Sequence, residues 1–92
     1  MIRSFKCTDT QALFAGTAVA RFANIRAVAE RKLQMLHRAI LLDDLRIPPN
    51  NKLEALKRDR KGPHSIRIND QWRVCFVWTG SDATQVEIVD YH

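Results

Sequence analysis

The hydrophobic positions fall into two regimes along the chain. Ile25, Val28, Ala29, Leu33, Leu36 and Ile40 recur near helical spacing. Arg26, Glu30, Arg31, Gln34, His37 and Arg38 fall on the other side, so this segment reads as an amphipathic helix. Asn24 or an earlier residue is its expected cap. A shorter helix precedes it, with Thr8-Asp9-Thr10 offering capping oxygens before Gln11–Ala15 and Gly16 ending it. Ile2–Lys6 is a short candidate strand. After Pro48-Pro49-Asn50-Asn51, a breaker, the period changes from helical to two. His64–Ile68 alternates, with Ile66 and Ile68 on one face. Asn69-Asp70-Gln71 is a turn. Trp72–Trp78 places Trp72, Val74, Phe76 and Trp78 together and sends Arg73, Cys75 and Val77 to the opposite face. Thr79–Asp82 is the next turn, and Gln85–Tyr91 is the last strand.

The expected architecture is α+β, in the order β-α-α-β-β-β. A C-terminal antiparallel sheet packs its aromatic row against two N-terminal helices. The 92 residues make one domain, 1–92. No apolar run approaches the ~20 residues of a membrane span, and the N-terminus has no signal-peptide pattern. Cys7 and Cys75 are far apart, with no metal-ligand spacing. A reduced, cytoplasmic protein is expected, with neither metal nor cofactor.

Charge adds a direction. The net charge is +5, and the excess is uneven. Residues 52–73 hold Lys52, Lys57, Arg58, Arg60, Lys61, Arg67 and Arg73 against Glu54, Asp59 and Asp70. Residues 74–92 have no Lys or Arg. Such a basic segment points to a polyanionic partner, nucleic acid or an acidic protein surface. His37 reads as structural and His64 as a surface residue.

No Gly-rich phosphate loop or hydrolase motif is present. RNA can nevertheless be cut without a metal. The ribose 2′-OH must lose a proton, the leaving 5′-oxygen must gain one, and the phosphorane needs fixed cations. Arg73, Lys57, His92, Asp90 and Glu54 are of the right types. Their spacing alone leaves this reading open beside a structural one.

Several segments taken together carry a resemblance. They are the opening MIRSF, Leu53-x-x-Leu56-x-x-x-Arg60-x-Gly62, the run Ser65-Ile66-Arg67-Ile68-Asn69-x-x-Trp72-Arg73, and the closing Asp90-Tyr91-His92. The chain resembles, from end to end, the HigB toxins of the RelE/ParE superfamily. The resemblance implies a RelE-like fold and ribosome-dependent mRNA cleavage by 2′-OH attack without metal. It implies a HigA-like helix-turn-helix antitoxin as partner, with ribosome and mRNA as targets and operator DNA bound only through the toxin–antitoxin complex. It also implies residue roles. Lys57 and Arg73 act as phosphate-binding cations, with Arg58, Arg60, Lys61 and Arg67 as further RNA contacts. His92 is the leading proton-transfer group, Asp90 supports it or shares its work, and Tyr91 orients the substrate or stacks on a base. Some family members have histidine where this chain has Glu54, so the general base is either Glu54 or His92. The alternatives are a ParE-like toxin directed at gyrase and a non-catalytic basic module binding RNA or DNA.

Overall fold

A computed structural model describes residues 1–56 and 62–90. Helix α1 (Thr8–Phe14) leads through a 3₁₀ turn, Ala20–Ile25, into helix α2 (Arg26–Arg38). Two more 3₁₀ turns, Leu42–Arg46 and Pro49–Asn51, precede strands β1 (Glu54–Ala55), β2 (Pro63–Arg67), β3 (Trp72–Trp78) and β4 (Ala83–Asp90). The strands form one antiparallel sheet in the order β1-β2-β3-β4. The expected α+β class and the helix-covered sheet are therefore present.

The covered face of the sheet contributes Ile66, Ile68, Val74, Phe76, Trp78, Val86 and Ile88 to the core. The helical half contributes Leu13, Phe22, Ile25, Ala29, Leu33, Leu36 and Leu45. Trp72 meets Phe22 edge to face, with centroids 5.6 Å apart at 88°. The aromatic row of β3 thus lies against the helices, as its alternation requires. His64 is a correction: it lies opposite Phe76 on this covered face and is only 5% exposed. Its ring stacks on Phe76 at 20°, and Nδ1 lies 2.8 Å from the Gly62 carbonyl oxygen. His37 is structural, accepting the Ile2 amide at Nδ1 and packing on Phe14.

Strand β4 departs from simple alternation. Cys75 to Val77 on β3 spans two steps, whereas the partners Glu87 to Thr84 span three. The extra residue is a bulge at Gln85, with φ of +52°. It shifts the pleat by one position, so that Ala83 faces the core together with Val86 and Ile88. It also explains why Ile2–Lys6 is not a continuous strand. The segment pairs with β4 through isolated parallel bridges at Ile2–Ala83 and Phe5–Val86. Between them the Gln85 amide donates to the Ser4 hydroxyl instead of a backbone carbonyl.

Helix α1 is capped differently from the expectation. Its N-cap is Cys7, with no side-chain bond, and Thr8, Asp9 and Thr10 lie inside the first turn. Thr10 is fully buried, and its hydroxyl accepts the Ile88 amide at 3.0 Å. The Met1 and Ser4 carbonyls accept the Ala83 and Val86 amides. An edge strand that would otherwise offer bare donors is closed by the N-terminal segment.

Gly16 does end α1 as expected. It adopts φ of +95°, with Gly16 N–H bonded to Leu13 O and Thr17 N–H to Ala12 O, the paired bonds of a Schellman stop. A Cβ there meets nothing within 4 Å, so only the backbone conformation opposes a side chain. We expect Gly16→Ala to cost about 1 kcal/mol, read as a fall of roughly 4–8 °C in Tm. An unchanged Tm would show that the turn relaxes freely.

Helix α2 ends sooner than the apolar pattern indicates. Ala39 turns to an extended ψ of 132°, and the Asp44 carboxylate accepts the amides of Ile40 and Leu41. Ile40 is therefore outside the helix and 72% exposed. No Asn24 cap forms, because the preceding 3₁₀ turn runs directly into the helix. Among the described residues, no helix is long and apolar enough to cross a membrane.

Candidate functional site

The uncovered face of the sheet carries several of the candidate residues. Directly opposed residues share a face, so Glu54, Ser65, Cys75 and Glu87 form one row across all four strands. Lys6 Nζ closes that row 3.6 Å from Glu87. Beside it runs a second row of Arg67, Arg73 and Val89. A cavity of 360 Å³ opens on this face, lined by Lys6, Cys75, Val77, Glu87, Val89 and Asp90 among others.

Arg73 points away from the helices, as the alternation predicts, but it is not a loose surface cation. It is 8% exposed. Its Nε donates to Ser65 Oγ at 2.8 Å, and Nη2 donates to the Lys52 carbonyl at 2.7 Å. Glu54 Oε1 lies 4.0 Å from Nη1. The guanidinium is thereby fixed in plane beside an exposed carboxylate.

The support behind Arg73 reaches into the helical half. Lys52 takes a left-handed φ of 46° immediately after the Pro49–Asn51 turn. Asn51 is fully buried; its Oδ1 accepts from Lys32 Nζ, and its Nδ2 donates to the Leu45 carbonyl at 3.0 Å. Helix α2, the turn and Arg73 are thus joined through two consecutive residues. Sequence reasoning missed this chain. Its one signal was a lysine standing on the apolar stripe, at the same helical spacing as Ala29 and Leu36.

Arg67 stands directly opposite Arg73. Like charges in register destabilise a sheet pair. Arg67 is relieved by Asp70 and Arg73 by Ser65, Lys52 and Glu54. A polyanion on this face would relieve both.

Asp90 ends β4 opposite Trp72, one residue beyond Val89, which faces Arg73. Its carboxylate accepts from Gln71 Nε2 at 3.0 Å. Of the sequence-derived candidates, Glu54, Arg67 and Arg73 share this face, while Asp90, opposite Trp72, has the parity of the covered face and ends β4. Lys57, Arg58, Arg60, Lys61, Tyr91 and His92 lie outside the described residues. Among the described residues, no group of three or more His, Cys, Asp or Glu side chains could hold a metal ion.

Cys75 occupies the middle of the face. Burial pushes its thiol up to about 11, Glu87 adds to the rise, and Arg73 and Lys6 oppose it. The neutral thiol suits a cavity floor and not a nucleophile. Alkylation of Cys75 at neutral pH should run on the order of 100-fold slower in the native protein than in urea. Mass mapping of iodoacetamide adducts checks this; equal rates would mean that the thiolate is available in the fold. The raised value also ties stability to pH. The protonated thiol contributes fully below its unfolded value, and the contribution is lost as pH rises towards 11.

The chain is similar in sequence to known proteins. Residues 16–92 match the family model described as "RelE-like toxin of type II toxin-antitoxin system HigB". The protein named "Toxin HigB-1" of Vibrio cholerae serotype O1 is 50% identical over 48 residues, which are 52% of this chain and 50% of that protein. A protein of Haemophilus influenzae that carries no functional name is 33% identical over 64 residues, 70% of this chain and 63% of that protein. The matched segments span between half and just under two thirds of those relatives' lengths.

Proposed function

Because this chain belongs to the HigB-like, RelE-like toxins of type II toxin–antitoxin systems, we propose that it is a ribosome-dependent mRNA endoribonuclease that inhibits translation without a metal. The observation that carries the reading is Arg73, a nearly buried guanidinium held by Ser65 and Lys52 on an open sheet face, with a carboxylate beside it. A cation fixed before the substrate arrives needs no reorganisation as charge develops on phosphate. Its planar fork suits two phosphate oxygens.

The chemistry runs as follows. The scissile phosphate lies on the open face against Arg73, with Arg67 and Lys57 contacting neighbouring phosphates. A base takes the proton from the 2′-OH, whose oxygen attacks the adjacent phosphorus. The P–O5′ bond breaks, and an acid protonates the leaving 5′-oxygen. The products are a 2′,3′-cyclic phosphate and a 5′-OH. Glu54 or His92 is the base, His92 is the leading proton-transfer group, and Asp90 supports it or shares its work. Tyr91 orients the nucleotide or stacks on its base. Arg58, Arg60 and Lys61 act as further RNA contacts.

A type II toxin implies an antitoxin partner. We assign that role to a HigA-like helix-turn-helix protein whose complex with the toxin binds operator DNA. A net charge of +5 is modest for capturing free RNA. This fits a protein to which the ribosome presents its substrate.

Primer extension on a defined mRNA in a purified translation reaction, with and without ribosomes, tests the reading. Discrete cuts that need ribosomes are expected. Absence of cuts by folded protein, together with inhibition of gyrase supercoiling, would establish the gyrase-directed reading. Absence of both, with salt-dependent RNA or DNA binding, would leave a basic binding module.

A further inference from the structure

A second cavity, lined by cations, lies beside α2. It measures 380 Å³ and sits between α2, the Pro49–Asn51 turn and the end of β2. Strand β1 pairs with β2 only at His64 and Ser65, so the edge of β2 beyond Ser65 is available to this cavity. Arg31, Lys32 and Arg67 line it, and none of its lining residues is acidic. Its remaining walls are apolar, from Val28, Met35, Pro48 and Ile68, apart from Asn50.

We propose that this cavity is an anion site that takes the phosphate of a nucleotide, free or within an RNA chain. Lys32 is 8% exposed, and its ammonium meets a neutral acceptor, Asn51 Oδ1. No carboxylate pairs with Lys32 or Arg31 among the described residues. A buried ammonium without a counter-ion is costly, and two more cations face the same space. Burial lowers the Lys32 pKa, and Arg31 and Arg67 push it the same way. A bound anion would offset all three effects. Two guanidinium forks and an ammonium match the several oxygens of a phosphate better than the two of a carboxylate. The apolar walls then face the ribose and base.

The site is back to back with the Arg73 site. Asn51 bonds to Lys32 on one side, and the next residue, Lys52, bonds to Arg73 on the other. The two sites share Arg67, which stands opposite Arg73 and also lines this cavity. Asp70, 99% exposed, pairs with Arg67 and neutralises part of the charge.

The test is an NMR titration of ¹⁵N-labelled protein with inorganic phosphate, AMP and a short 2′-O-methyl RNA that cannot be cut by 2′-OH attack. Failure here is therefore seen separately from failure of the nuclease reading. Amides of Val28, Lys32 and Ile68 should shift with AMP or RNA. Arg31→Ala, at an exposed position that leaves the core intact, should weaken binding by ~10-fold. Asp70→Asn should strengthen it. Tighter binding of RNA than of AMP identifies an RNA chain as the source, and equal binding identifies a free nucleotide. The proposal is overturned if none of the three ligands shifts these amides. It is also overturned if inorganic phosphate binds as tightly as AMP, or if oligoglutamate alone produces the shifts.

Discussion

Replacing Arg73 by alanine should lower the ribosome-dependent cleavage rate by ~10²–10³-fold, the loss typical of removing one preorganised stabiliser of transition-state charge. The size of the effect follows from its fixation. A mobile surface arginine would spend binding free energy on ordering itself, whereas Ser65 and Lys52 already hold this one. Arg73→Lys should recover only part of the rate, because an ammonium is a point charge without the fork. The substitution also changes the fold's energetics in two opposed ways. Ser65 Oγ and the Lys52 carbonyl lose a donor, at about 1–3 kcal/mol, while the repulsion from Arg67 across the strand pair disappears. Initial rates from primer extension, with circular dichroism on the same samples, separate lost chemistry from lost fold. A folded Arg73→Ala protein that cuts at the wild-type rate would remove Arg73 from the mechanism. His92→Ala, assayed beside it, tests the proton-transfer role of His92. Its loss of activity assigns proton transfer to His92, and its survival moves the base role to Glu54.

Phe76→Ala should destabilise the domain by about 3–5 kcal/mol. Phe76 is 1% exposed in the middle of β3. It stacks on His64 and meets Trp78 edge-on, with centroids 6.4 Å apart. Alanine removes the ring from both contacts and leaves a cavity between sheet and helices. A domain of this size has about 5–15 kcal/mol in total, so the loss takes a large share of it. Thermal melts should show Tm falling by at least about 12 °C, and urea unfolding should show a lower midpoint at unchanged slope. A fall of only a few degrees would mean that the surrounding side chains collapse into the space. The open face should keep its geometry below the new melting point, so activity per folded molecule should change far less than with Arg73→Ala.

The site was legible in part. Period-two alternation in Trp72–Trp78 placed Arg73 on the face away from the helices, and the same rule places Arg67 and Glu54 with it once the strands are paired. Their common face is a local property, because each strand reports its own. That Arg73 is buried, and by what, was not legible. Its carbonyl partner is 21 residues away at Lys52, and its hydroxyl partner Ser65 depends on the register of β2 against β3. His64 shows the same limit. Its place at the start of a strand marked it as a surface residue, but register set it opposite Phe76. Ile40 failed in the other direction, since its apolar spacing continues the helix while the Asp44 carboxylate stops it.

The sequence by itself determined the two-regime architecture, the inward row of β3, the Gly16 stop and the excess of basic residues in one segment. These depend on neighbours within a turn or a strand, where periodicity and backbone preference act directly. The tertiary structure alone decided the bulge at Gln85, the closing of the β4 edge by the N-terminal segment, and the coupling of Lys32 through Asn51 and Lys52 to Arg73. Those depend on which distant polar groups meet. A buried donor takes whichever acceptor the packing of helices on sheet brings within about 3 Å, and local sequence preference cannot specify that partner.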